Sequence, residues 1–286
     1  MIVSCVILNY NDAATTSHLV NTIRNYELLD HIIIIDNMST DNSYDYLRKL
    51  QNEKIIVIKT SRNGGYGYGN NYGVKYAKEK FNSDYVLICN PDVNFTEDTL
   101  QSGLSIMQHD PNIAVFSPIQ LNAEGKMANT IAWKIPTAIR YILCSGLLLK
   151  RIVSNYRYNT NELNERINFV DCVPGSLLLV NSEAFINVGG YDENIFLYCE
   201  ETVLGKKMKD AGYKTVLDGT EAYYHLHSVS INKSIAKEYK QTKLLLESRY
   251  YVIKTYLGGN RIHLAFAKLF FFIVLLETQL KTMLNR

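Results

Sequence analysis

Short apolar runs alternate with longer amphipathic stretches through the first half of the chain. Val3 to Leu8, Ile32 to Ile35, Ile55 to Ile58, Tyr85 to Cys89 and Ile113 to Phe116 are aliphatic or β-branched runs bounded by polar residues, the pattern of buried strands. Between them Ala13 to Tyr26, a stretch ending near Leu50, Gly67 to Lys80 and Thr96 to Gln108 read as helices. Asp41 caps the second of these, and Val74 and Ala77 fall on the inner side of the third. The alternation predicts a mostly parallel sheet covered on both faces. Beyond residue 130 the pattern weakens. Ile135 to Val153 is apolar but broken by Arg140, Lys150 and Arg151, and polar Tyr156 to Asn168 reads as a mobile loop. Regular structure returns with Phe169 to Val180, a short helix capped by Ser182 and ending at Gly189-Gly190, and a helix from Glu200 to Ala211 closed by Gly212. A strand at Lys214 to Leu217, a helical stretch from Ser234 to Gly258 and an apolar tail follow.

Polar signals sit where strands end. Asp36-Asn37-Met38-Ser39-Thr40-Asp41, Asn63-Gly64-Gly65-Tyr66-Gly67 and Asn90-Pro91-Asp92 each follow an apolar run, and Glu200-Glu201 comes much later. Carboxylates and glycines at the carboxyl edge of a parallel sheet suit a phosphorylated nucleotide and a metal. The glycine cluster is neither the dinucleotide fingerprint, whose third glycine position is Asn70, nor a Walker loop. It is a loop that opens a helix, either receiving an anion on free amides or packing tightly against the sheet. Asp36 suits a base or ribose edge. Asp92 can hold a hard cation with help from phosphate oxygens, or simply close a turn. Glu200 and Glu201 either favour a helix start or supply a general base. His225 ends a strand and suits a metal or phosphate contact, while His227 would face the other way.

Bulk properties narrow the classes. The 286 residues suit one large α/β domain with an appendage, and 47% hydrophobic with 20% charged residues is ordinary for a globular protein. A net charge of +2 without a basic stripe argues against nucleic acid as a partner. Five scattered cysteines without a Cys-x-x-Cys pair read as buried, reduced thiols of a cytosolic protein. No basic leader precedes the first apolar run. The longest unbroken apolar run, Leu269 to Leu276, is too short to span a bilayer, and the chain is expected not to cross one.

In order and spacing these stretches resemble the family-2 glycosyltransferases, particularly the bacterial rhamnosyltransferase-like branch. Val6-Ile7-Leu8-Asn9-Tyr10, Ile35 to Asp41, Arg62 to Gly67 with Asn70-Asn71, and Leu87 to Val93 carry the likeness, with Gly175-Ser176, Gly189 to Glu193 and Phe196 to Glu201. The resemblance implies a glycosyltransferase A-type fold with a Rossmann-like nucleotide-binding half over residues 1–230 and a C-terminal helical extension over 231–286. It implies a nucleotide-diphosphate sugar donor, a divalent metal (Mg or Mn) and inverting transfer of a hexose or deoxyhexose to a saccharide or lipid-linked acceptor in surface polysaccharide synthesis. Asp36 would contact the base with Asn9, Asn63 and Gly64 nearby, and Asn90 and Asp92 would occupy the first and last positions of the Asp-x-Asp motif. Glu201 matches the catalytic base and Glu200 the acid before it. His225 with Ser230 is similar to a late His-x4-Ser element near the diphosphate. The family's usual aspartate two residues after the base is Val203 here.

The apolar tail, with Lys268, Lys281 and Arg286, reads equally as an interfacial helix contacting a membrane from the cytoplasmic side or as a homodimer interface. Two rival functions are weighed. A nucleotidyltransferase would carry a glycine- and basic-rich loop after the first strand, where Asn9-Tyr10-Asn11-Asp12 stands, and a non-catalytic binder would not need Asp92 and Glu201.

Overall fold

A computed structural model describes residues 1–146, 156–163, 165–226 and 235–284, with backbone alone at 235–237 and 282–284. The strands β1 (Val3–Asn9), β2 (His31–Asp36), β3 (Ile55–Lys59), β4 (Tyr85–Cys89), β5 (Val93–Asn94), β6 (Ile113–Leu121), β7 (Asn168–Val170), β8 (Leu177–Asn181) and β9 (Lys214–His225) form one sheet. Its spatial order is β3-β2-β1-β4-β8-β6-β9-β5, with β7 also paired to β9. The first four strands are parallel, and β9 runs parallel to β6. Between β4 and β6 lies β8, antiparallel to both. The mostly parallel sheet is the one the strand pattern predicts, and the architecture is the glycosyltransferase A-type that the family resemblance implies.

Period-two alternation explains why the strands are apolar throughout. Ile32 and Ile34 enter one core with Cys5, Ile7, Leu19 and Leu104, whereas Ile33 and Ile35 enter the other with Val6, Val74 and Ala77. On those faces lie α1 (Ala13–Ile23), α2 (Ser43–Leu47), α3 (Gly65–Phe81) and α4 (Glu97–His109). All five cysteines are free and buried, as expected. Burial pushes the Cys89 thiol well above its ordinary value and Cys199 up to about 12, so neither is a thiolate beside the crevice.

Several boundaries differ from the sequence reading. β6 continues past Ser117-Pro118, through a register shift that absorbs the proline, and β9 continues past Asp218 to His225. Asn181, rather than Ser182, caps α6 (Ser182–Asn187) by accepting the Ala184 N–H. Asp41 accepts the Ser43 N–H at 2.9 Å just ahead of α2, although Asn42 holds the cap position itself. The stretch expected to be a mobile loop carries structure: Tyr158 N–H donates to Ala132 O, Tyr156 O accepts from Lys134, and residues 160–162 form a 3-10 turn.

The C-terminal part is helical. α5 (Ala138–Leu143), α8 (Ile235–Thr255) and α9 (Arg261–Leu284) share a third core with Ile195, Cys199 and Val203, the last at the head of α7 (Glu200–Asp210). Ala267, Phe271 and Val274 of α9 point inward, while Leu269, Phe272, Ile273, Leu276 and Leu280 are exposed. Arg261–Lys281 is long and apolar enough to cross a membrane, because the helix continues through Lys268 and Glu277, which bound the unbroken run. Only 22% of its most apolar window is buried.

Candidate active site

Parallel strands deliver their carboxyl ends to one edge, and the polar turns that follow them gather there. Asn9 and Asp36 are register partners on adjacent strands. Both are fully enclosed, and their polar atoms serve one another. Asn9 Nδ2 donates to Asp36 Oδ2 at 2.9 Å, Ser39 N–H donates to Asp36 Oδ1 at 3.0 Å, and Asn9 Oδ1 accepts from Thr16. Asp36 therefore pins the turn that carries exposed Met38. Half-buried Asn63 accepts from Asn37 Nδ2 and from the Gly65 N–H, both at 3.1 Å.

The glycine cluster has a definite task. Gly65, at the head of α3, has φ +89, and a Cβ there would collide with the Phe196 carbonyl. That carbonyl accepts the Tyr66 N–H at 3.0 Å. Glycine thus lets α3 press against the turn leading to Glu200-Glu201. Two of the amides that an anion would have used are taken, by Asn63 and Phe196, and Gly64 caps the helix half-buried beside them.

Asn90-Pro91-Asp92 leaves β4, and β5 then pairs with β9 so that Val93 faces His225. Asp92 Oδ1 lies 3.2 Å from His225 Nε2, and the other ring nitrogen, Nδ1, lies 3.1 Å from Gln120 Nε2. Buried Gln120 Oε1 accepts from Tyr223 Oη at 3.3 Å, and Tyr223 shares a 2.6 Å hydrogen bond with Ser176. Ser230 and His227 lie outside the described residues. Among the described residues no three His, Cys, Asp or Glu side chains surround a common point. A cation would accordingly rest on Asp92 and His225 and complete its shell with phosphate oxygens, a donor set that fits a magnesium- or manganese-type ion.

Glu200 and Glu201 open α7 directly after Tyr198 and Cys199, which have φ of 73 and 75. Of the five non-glycine residues described with positive φ, Asn82 caps α3, Tyr198 and Cys199 line this crevice, and Asn11 and Met38 lie in the turns after β1 and β2. Such conformations concentrate where a fold over-determines a site. Glu200 is 3% exposed, and its Oε1 has no partner among the described residues. Burial, and then the neighbouring Glu201, push its carboxyl up to about 8, so it is protonated at neutral pH. Burial also raises Glu201, but the backbone N–H groups of Gly175 and Glu201 itself favour its anion. Gly175 makes room for it: a Cβ there would stand 3.0 Å from Glu201 Oε1.

One open cavity of about 460 Å³ is lined by Asn90, His225, Glu200 and Glu201 together with Tyr66, Gln120, Trp133 and Arg249. The structure so brings together Asp92 (through His225), Asn90 and the glutamate pair, while Asn9 and Asp36 support the edge from within. A profile described as Glycosyl transferase family 2 matches residues 4–178. The chain belongs to this family. It is 27% identical over 233 residues to an N-acetylglucosaminyl-diphospho-decaprenol L-rhamnosyltransferase of Mycobacterium tuberculosis, covering 77% of this chain and 75% of that one. It is also 27% identical over 198 residues to the low-salt glycan biosynthesis hexosyltransferase Agl10 of Haloferax volcanii, covering 69% of this chain but only 58% of that relative. In fold it resembles a mannosyltransferase from Pyrobaculum calidifontis solved in complex with GDP-Man and Mn2+, with a TM-score of 0.59 at 13% identity over 98% of this chain and 72% of that one.

Sequence reasoning missed several residues that line or brace this family-2 site. Gln120 was detectable as a lone amide between apolar Ile119 and Leu121. Arg249 was detectable as one cation within the aromatic stretch Tyr250-Tyr251 and its neighbours. Tyr66, whose Oη donates to Gly175 O at 2.6 Å, gave no signal beyond the glycines around it.

Proposed function

We propose that this glycosyltransferase moves a hexose or deoxyhexose, in an inverting and metal-dependent single displacement, from a nucleotide-diphosphate sugar to a hydroxyl of a saccharide on a lipid carrier. One observation carries the reading: His225, in contact with Asp92, shares a cavity with Glu201 at the carboxyl edge of the parallel sheet. The residues-1–230 portion is the transferase unit, and residues 231–286 are its helical extension.

The chemistry is assigned to the chain's own groups. Glu201 takes the proton from the acceptor hydroxyl, aided by the Gly175 amide that holds its carboxylate. Protonated Glu200 adds no second negative charge beside it, so one carboxylate ionises without like-charge repulsion. Asp92, His225 and Asn90 hold the diphosphate end, with Gln120 fixing the imidazole ring. A bound divalent ion there would neutralise charge on the departing diphosphate. Asn63 and Gly64 flank the nucleotide, and Asn9 and Asp36 keep its edge in shape. Attack from the face opposite the diphosphate inverts the anomeric centre, through an oxocarbenium-like transition state. The outward apolar stripe of α9 lies on a membrane surface, where a lipid-borne acceptor is met.

The test is release of nucleoside diphosphate from a panel of nucleotide sugars, with and without manganese. Turnover with a manganese requirement supports the reading, and pyrophosphate-dependent conversion of the nucleotide sugars to nucleoside triphosphate and sugar 1-phosphate instead would make the protein a nucleotidyltransferase. Thermal-shift ranking of the panel identifies base and sugar. Co-sedimentation with anionic liposomes tests the α9 stripe, and a stable dimer that ignores liposomes would reassign it.

A further inference from the structure

A second cavity joins the first behind the glutamate pair. Tyr156, Arg157, Leu245 and Arg249 line both, and the second then runs beneath α9 to Val274, Thr278 and Lys281. It contains no residue of the turns after β1, β2, β3 or β4, so it leads away from the nucleotide edge. Lys281 there is paired with Glu238 at 3.2 Å. The two arginines are not so matched. Among the described residues neither guanidinium forms an ion pair with a carboxylate. Arg249 is half-buried, donates from Nη1 to Ser145 Oγ at 2.6 Å and stacks on the Tyr141 ring at 4.9 Å. Its Nε–H is buried with no acceptor among the described residues. A partly buried cation with an unspent donor is costly to keep unless an anion completes it. Arg157 stands exposed beside it, so a ligand reaching this junction meets two forked donors.

We infer that Arg249 and Arg157 form the subsite for the diphosphate of a lipid-linked acceptor. The inference rests on the glycosyltransferase reading above and adds the part of the acceptor that the site grips. Three placements agree. The arginines lie between Glu201, where an acceptor hydroxyl is needed, and α9. Planar guanidinium groups match phosphate oxygens in bidentate geometry. The cavity is bounded by the inner side of a helix whose outer side is apolar, which sets the junction at headgroup depth when that outer side rests on a bilayer. No bond forms or breaks on the diphosphate; it anchors the sugar that receives the transfer.

The full chain is titrated calorimetrically with undecyl diphosphate, undecyl glucoside, inorganic pyrophosphate and phosphatidylglycerol vesicles, using wild type, Arg157→Ser and Arg249→Lys. Arg157 is exposed, so its replacement does not threaten folding, and lysine at 249 keeps the charge while removing the fork. Undecyl diphosphate is expected to bind wild type more tightly than the other three probes. Each variant should weaken it by roughly 10–100-fold, with donor affinity unchanged in Arg157→Ser. Equal binding by all three proteins overturns the inference. So does a loss of donor affinity in the variants, which would give the arginines to the donor while leaving the proposed transferase activity standing. Pyrophosphate binding as tightly as the alkyl probe would replace a lipid-borne ligand by a free one. Binding to vesicles alone would reduce the arginines to a surface contact. Failure of wild type to bind or turn over any nucleotide sugar would instead sink the functional reading.

Discussion

Asp36, at the carboxyl end of β2, and Glu200, at the head of α7, are both almost completely enclosed, yet their carboxyl groups meet opposite surroundings. Asp36 receives the Asn9 amide on one oxygen and the Ser39 N–H on the other. Glu200 keeps an oxygen with no partner among the described residues, next to a second acid. Satisfied polar groups hold a fold in place, whereas unsatisfied ones are kept only where something else requires them. The Asn9-Asp36 edge is thus a finished scaffold, and the glutamate turn is a poised one.

Four substitutions test that contrast, beginning with the largest effect. Glu201→Gln should lower turnover by roughly 10²–10⁴-fold while donor affinity stays near wild type. Rapid-quench kinetics with donor-binding calorimetry checks it, and near-normal turnover would move the base elsewhere. Asp92→Asn should weaken manganese-dependent nucleotide binding by about tenfold or more, leaving metal-free binding unaltered. Nucleotide titrations with manganese and with chelator separate the two effects. Asp36→Asn should cost about 1–3 kcal/mol of stability, because an amide cannot accept both donors, and should lower activity mainly through unfolding. Urea denaturation reads this directly; a folded but inactive protein would give Asp36 a direct part in the reaction.

Glu200→Gln gives the smallest effect and the clearest sign. The folded carboxyl titrates near 8 against an ordinary 4.5, so between those values the folded state binds the extra proton. Wild-type stability should fall as pH rises through that window. The variant, neutral throughout, should lack this decline and be at least as stable at pH 8. Parallel pH slopes for the two proteins would place Glu200 in a solvated setting.

Much of this was legible in the chain. The β-branched run Ile32–Ile35 and its counterparts announce buried parallel strands because both faces are covered. Their polar sequels mark the carboxyl edge for the same reason. The direction of Leu177–Asn181 was not legible, since an apolar pentapeptide reads alike in either sense. The length of β9 was hidden by Asp218, which looks like a strand stop but is buried with Ser102 and Thr220 as hydrogen-bond partners. Asp36 and Glu200 also read alike in the sequence, as acids ending or following apolar runs. Only neighbours brought from afar, Asn9 for the one and Gly175 beside the other's companion, distinguish scaffold from chemistry. The pairing of Arg157 with Arg249 depends on packing between segments about ninety residues apart, which no local pattern encodes.

The reversed strand has one more implication. Because β8 runs against β4, the Asn90 N–H donates to Ser176 O, and Tyr66 Oη donates to the adjacent Gly175 carbonyl. The Gly175-Ser176 loop, whose amide favours the Glu201 anion, is therefore tied to the turn after β4 and to the head of α3. Under the proposed transfer that tie would act as a rigid gauge between departing and arriving oxygens, so exchanging side chains around the mouth would retune which sugar is accepted without altering the stroke of the reaction.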